Sequence, residues 1–142
     1  MEESSSRFNV LETTEWVEEH LGDPSIVVVE VNSDLGIDYN QGHVPGAVGW
    51  GLHTDMEHPI RRDVPDVAQL EHMLGWSGID DGTTILLYGD GNNRSATWAF
   101  WVLEYYRHRD IRLMDGGRKK GIDEGRPLST EVPDRASKTY KA

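Results

Sequence analysis

Apolar and polar positions follow two different rhythms along this chain. Trp16, Val17 and Leu21 make a stripe at helical spacing behind Thr13 or Thr14, either of which can cap the helix. Glu15 and Glu18 fall in the first turn, where carboxylates suit the helix dipole, and Gly22 supplies a stop. The rhythm then changes to the β-branched run Ile26 to Val31, with Glu30 inside it, and later to Thr84-Ile85-Leu86-Leu87-Tyr88. Near-continuous apolar runs of this length predict strands covered on both faces, as in a parallel sheet. Ala47-Val48-Gly49-Trp50 and Ile111-Arg112-Leu113-Met114 are shorter strand candidates.

Helical spacing returns between the strands. Asp66 and Gln69 look like a capping pair ahead of Val67, Leu70, Met73 and Leu74, with Gly75 as the stop. After Tyr88 the sequence Gly89-Asp90-Gly91-Asn92 breaks the strand, and Asn92 or Asn93 can cap a helix running to about Tyr106. That helix is apolar nearly all round, from Ala96 and Trp98 to Tyr105 and Tyr106, which places it between the sheet and other elements. Gly116 to Glu124 predicts one last short helix. Strands alternating with helices imply an α/β fold, a doubly wound parallel sheet with helices on both faces. Residues 1–126 form that domain, with its core in 7–126, and 127–142 is a polar, Pro-containing linker or tail.

Composition narrows the chemistry. At 142 residues one domain can bury roughly 68% of the surface its unfolded chain exposes. Its 14 basic against 25 acidic side chains, a net charge of −11, disfavour nucleic acid and anionic membranes as partners. No apolar run approaches the roughly 18 residues of a membrane span, and the acidic start Met1 to Arg7 lacks signal or transit character, so a cytoplasmic location is expected. There is no cysteine, which by counting alone excludes disulfides, thiolate metal sites and thiol nucleophiles.

Chemistry concentrates in the loop Gly89, Asp90, Gly91, Asn92, Asn93 and Arg94. A strand-to-helix turn of this kind aims backbone N–H groups and a helix start at one point, which favours an anion. On pattern alone an ordinary βα turn is the better account, since the loop is neither a Walker loop nor Gly-x-Gly-x-x-Gly. Asp90 either fills that cradle with its carboxylate or faces solvent as a turn residue. A third reading makes Asp90 a phosphate-accepting nucleophile, which would need paired carboxylates for Mg²⁺. His53, Asp55 and His58 lie close in sequence but read as solvated loop residues rather than metal ligands. His43 reads as a turn or interface hydrogen-bonding group, His20, His72 and His108 as structural, and Arg118-Lys119-Lys120 as a solvated helix face.

Four segments, Trp16-Val17, Gly42-His43-Val44-Pro45-Gly46-Ala47, Leu86 to Asn93, and Leu113-Met114-Asp115-Gly116-Gly117-Arg118-Lys119-Lys120, resemble the rhodanese (thiosulfate sulfurtransferase) family in order and spacing. The likeness spans roughly residues 8–133 and is strongest to the first halves of tandem sulfurtransferases. It implies that Gly89, or Asp90 if the loop shifts by one, stands where active members carry the cysteine that holds a persulfide. It further implies a catalytically silent domain, no cofactor, and a second, cysteine-containing rhodanese domain as partner, reached through a connector resembling residues 130–140. Self-association of the isolated domain is left open. The alternatives are a free-standing protein-binding module and, more remotely, the Asp90 phosphatase. Where the family usually has a tryptophan this chain has Gly121, so the last helix is expected to pack loosely.

Overall fold

In the computed structural model, the described residues are 10–142 apart from 34, 59, 62 and 134. Five parallel strands form a single sheet in the order β1-β5-β4-β2-β3. They are β1 (Leu11–Glu12), β2 (Ile26–Asn32), β3 (Val48–Gly51), β4 (Thr84–Gly89) and β5 (Ile111–Met114). The intervening helices are α1 (Thr14–Glu19), α2 (Leu35–Gln41), α3 (Leu52–Asp55), α4 (Val67–Trp76), α5 (Asp90–Tyr105) and α6 (Gly117–Asp123). The doubly wound expectation holds, and β2 and β4 are the central pair.

Alternation along β2 feeds two cores. Val27, Val29 and Val31 join Ile85, Leu87 and the inward sides of α4 and α5, including Leu70, Leu74, Ala96, Ala99 and Leu103. Ile26 and Val28 join Val17 of α1, Leu86, Tyr88 and Met114 on the opposite face. Every residue of β2 is buried, Glu30 and Asn32 included, as a strand covered on both faces requires.

Several local expectations are corrected. Thr13 caps α1 through its hydroxyl, but Asp66 makes no side-chain cap to α4. Gln69 instead donates to the Glu57 carbonyl at 3.0 Å, because the loop before α4 needs its orphan carbonyls satisfied. Gly75 is no stop: it lies buried inside α4, where a side chain would run into the Lys138 carbonyl, and the turn comes at Gly78 with φ of 82°. Helix α5 packs on the sheet as expected, with Trp101 and Tyr105 left 48% and 58% exposed in the isolated domain, a possibility the aromatic run already carried.

Residues 127–142 add no helix, yet they are held to the domain. Ser129 bridges His43 through two backbone hydrogen bonds, Lys138 N–H donates to Gly75, and Tyr140 is buried against His108. The reason is side-chain burial: one aromatic ring and His43 fix a segment whose own sequence has no periodicity. His43 is fully buried, stacked on Tyr39 with ring centroids 3.8 Å apart, and its Nε2 lies 2.6 Å from the Glu131 carbonyl.

Candidate active-site loop

The central strands β2 and β4 diverge in connection, β2 leading to β3 on one side and β4 to β5 on the other. Their carboxyl ends therefore frame the switch point at which ligands of open α/β sheets bind. The loop singled out by sequence lies there. Gly89 closes β4 opposite Val31, fully extended at φ −179°. A Cβ on Gly89 would collide with the Val31 carbonyl oxygen, so the strand can end this close to its neighbour only without a side chain.

Asp90 opens α5 directly, which corrects the expected cap at Asn92 or Asn93. Asn93 sits inside the helix with φ of 68°, a left-handed conformation that asparagine tolerates. Its carboxamide is spent on cross-links: Oδ1 accepts the Gly89 N–H at 3.0 Å, and Nδ2 donates to the Met114 carbonyl at 2.7 Å. Gly117, also left-handed at φ 65°, lies against this side chain, where a Cβ would come within 2.7 Å of Asn93 Oδ1. Arg94 is exposed, Gly91 and Asn92 fall in the first turn of α5, and the Asn92 side chain lies outside the described residues.

The inward amides at the head of the loop are thus taken by carboxamides. Asp90 N–H donates to Asn32 Oδ1 at 2.9 Å, as Gly89 does to Asn93. Polar groups of Ser33 and the residue's own amide draw the Asp90 pKa downward. Burial, and then the charge of Asp38, nevertheless push its pKa above the ordinary aspartate value.

Beneath the loop lies a buried polar network that sequence reading missed. Glu30 is fully buried. Tyr88 donates its hydroxyl to Glu30 Oε1 and Asn32 Nδ2 donates to Oε2, each at 2.5 Å. Arg118 of α6 supplies the counter-charge, with Nη1 3.1 Å from Oε1 and a further bond to the Gly42 carbonyl. The Tyr88 oxygen accepts the Val44 amide at 2.9 Å. Desolvation, and then Glu30, raise the Tyr88 pKa well above normal, and the same two causes push Tyr39 up to about 12. The available signal was Glu30 itself: an acid within an otherwise apolar buried strand requires a partner. Arg118, expected on a solvated face, is that partner.

The remaining sequence candidates separate. His53 pairs with Glu57 at 2.9 Å, Asp55 accepts the Gly51 amide at 2.7 Å, and His58 Nδ1 accepts the amides of Ile60 and Arg61. Among the described residues, no group of three or more His, Asp or Glu side chains could hold a metal ion.

A loop at a switch point, opening a helix from the last residue of a buried strand, is the setting for an anionic reaction centre. Here its first side chain is a carboxylate, and no thiol exists anywhere in the chain. The family model for the rhodanese-like domain matches residues 13–124. The chain belongs to the rhodanese-like domain family. Among curated proteins, this rhodanese-like domain is 44% identical over 132 residues to the sulfur carrier protein TtuD of Thermus thermophilus, covering 93% of the chain and 46% of that protein. It is 42% identical over 137 residues to a Mycolicibacterium smegmatis protein assigned as a thiosulfate sulfurtransferase, covering 96% and 49% respectively. The rhodanese-like domain therefore spans about half the length of these curated relatives. Its fold superposes on the crystal structure of SseA from Escherichia coli, a 3-mercaptopyruvate sulfotransferase, with a TM-score of 0.82 at 20% identity, covering 94% of the chain and 55% of SseA. Among the described residues no helix is long and apolar enough to cross a membrane.

Proposed function

We propose that this rhodanese-like domain is the non-catalytic half of a two-domain thiosulfate sulfurtransferase, in which a second, cysteine-containing rhodanese domain transfers the sulfur. The observation that carries this reading is Asp90. It is the first residue of the loop whose side chain can leave the sheet, since Gly89 is held against Val31. The position open to a nucleophile is therefore filled by a carboxylate, which cannot hold a sulfane sulfur and return it. Neither Gly91, Asn92, Asn93 nor Arg94 offers a substitute. The half-length match to the relatives supports the same reading.

The domain's part is architectural. It presents a wall of the cleft in which an anionic donor meets the partner's cysteine loop, and the network from Asp90 through Asn32 to Glu30 and Arg118 keeps that wall rigid. The exposed, mutually stacked Trp101 and Tyr105 favour a second reading, a free-standing module that binds a protein partner. A reading frame that continues into a cysteine-containing domain supports the first, and a stop codon after Ala142 the second.

The test is an assay of the 142-residue chain for thiocyanate formation from thiosulfate and cyanide, with mass spectrometry for a protein-bound persulfide. Background turnover and no added sulfur are expected. Turnover above background, or Mg²⁺-dependent phosphate-ester hydrolysis lost on Asp90→Asn, would overturn the proposal.

A further inference from the structure

We propose that His43 is a proton-dependent clasp: it carries a hydrogen on each ring nitrogen while residues 129–131 are docked on the domain, and loss of one proton loosens that segment. The clasp lies within this chain and does not rest on the tandem reading. Both ring nitrogens face backbone carbonyl oxygens, Nδ1 that of Tyr39 at 2.9 Å and Nε2 that of Glu131 at 2.6 Å. A carbonyl oxygen only accepts and a neutral imidazole has one N–H, so either neutral tautomer sets a bare nitrogen lone pair against an oxygen. The side chain is fully buried and both contacts are direct, so no water supplies the missing hydrogen. Only the imidazolium makes both bonds.

The surroundings suit a cation. Tyr39 lies in the last turn of α2, where carbonyls carry the negative end of the helix dipole, and its ring stacks on His43 with 3° between the planes. The titratable groups on the elements packed around this turn are Asp38 and Tyr39 of α2, Glu30 of β2, Tyr88 of β4, Arg118 of α6, and Glu131 of the docked segment. Burial and then the Glu30 charge raise the Tyr39 pKa, so the field of Glu30 reaches the ring stacked on His43. Arg118, the cation among these groups, is itself matched by Glu30.

The clasp acts on one stretch of chain. His43 N–H donates to the Ser129 carbonyl at 2.8 Å, and Ser129 N–H donates back to the His43 carbonyl at 2.7 Å. His108 holds the far end of the same tail with the opposite proton requirement. Its partners are the Tyr140 hydroxyl, which donates as well as accepts, and the Thr83 carbonyl, so one ring hydrogen suffices there. Rising pH therefore frees residues 129–131, and falling pH frees the Tyr140 end.

The test follows the isotope-labelled full chain by NMR as pH rises from about 5 to about 9, which spans histidine titration. Both His43 ring nitrogens should be protonated at the acid end. Exchange protection of the Ser129 amide, corrected for intrinsic base catalysis, should then fall about tenfold with rising pH, the loss of one charged hydrogen bond. Protection of the Lys138 amide should not fall, and His43→Gln, which cannot titrate, should make Ser129 protection independent of pH. The ring and exchange measurements use the wild-type chain and so decide the matter even if that variant does not fold. A bare ring nitrogen at the acid end, flat Ser129 protection over this range, or a fall that persists in His43→Gln would each overturn the proposal.

Discussion

The α-carbon of Gly89 faces the carbonyl oxygen of Val31 across the β2 and β4 ladder, with no room between them for a Cβ. Backbone on backbone cannot yield as a flexible side chain can. Gly89→Ala, and equally Gly89→Cys, should destabilise the fold by about 3 kcal/mol or more, as overpacking against rigid neighbours does. Asp90→Cys should fold with a wild-type urea midpoint and react readily with iodoacetamide. Equal stability of the two cysteine variants would contradict this account of the loop.

Glu30 and Arg118 make the most consequential ion pair, because the acid is fully buried and the arginine nearly so. Arg118→Met should cost about 3–5 kcal/mol in urea unfolding, since it leaves a buried carboxylate uncompensated. Adding Glu30→Gln to that variant should recover part of the loss. Exposed Lys119, paired with Asp123 at 2.6 Å, serves as the contrast: Lys119→Ala should change stability by less than about 0.5 kcal/mol.

Gly121 lies buried in α6 and lines a cavity of about 30 Å³ with Val17, Leu21, Val44 and Met114. A Cβ there would meet only the Met114 methyl group, at an ordinary 3.8 Å. Gly121→Ala should therefore stabilise the domain by about 0.5–1 kcal/mol, by reducing unfolded-state freedom in a helix interior. A rise in thermal midpoint checks it; a fall would mean that the cavity is not free to accept a methyl group.

His108 ties the end of the chain to the domain: its Nδ1 meets the Tyr140 hydroxyl and its Nε2 the Thr83 carbonyl, both at 2.7 Å. Burial lowers its pKa below 6.5 despite the opposing charges of Asp110, Asp81 and Asp80. The neutral ring is thus the form that the fold favours. Its contribution is fully present above pH about 6.5 and is lost as pH falls through the lowered folded value. His108→Asn should flatten the dependence of the urea midpoint on pH below that point and speed tryptic cleavage at Lys138. An unchanged pH profile would remove His108 from the account.

Strand text was legible because burial on both faces leaves no freedom of composition: β2 and β4 stand where the apolar runs placed them. Cap assignments failed where tertiary partners outbid local ones. Gln69 turned to the Glu57 carbonyl and the Asn93 amide nitrogen to the Met114 carbonyl, partners 12 and 21 residues away that no local pattern announces. Arg118 was misread for the same reason, since a basic run on a helix looks solvated until the acid facing it is known.

The sequence by itself determined the parallel α/β class, the resemblance to rhodanese domains, and the exclusion of thiol chemistry, because each depends on counting or on periodicity. Only the tertiary structure decided that Asp90 rather than Gly89 occupies the open position of the loop, and that Glu30 and Arg118 belong together. Those are matters of a few ångströms between segments far apart in the chain, and such distances are set by how the sheet and its helices close on one another.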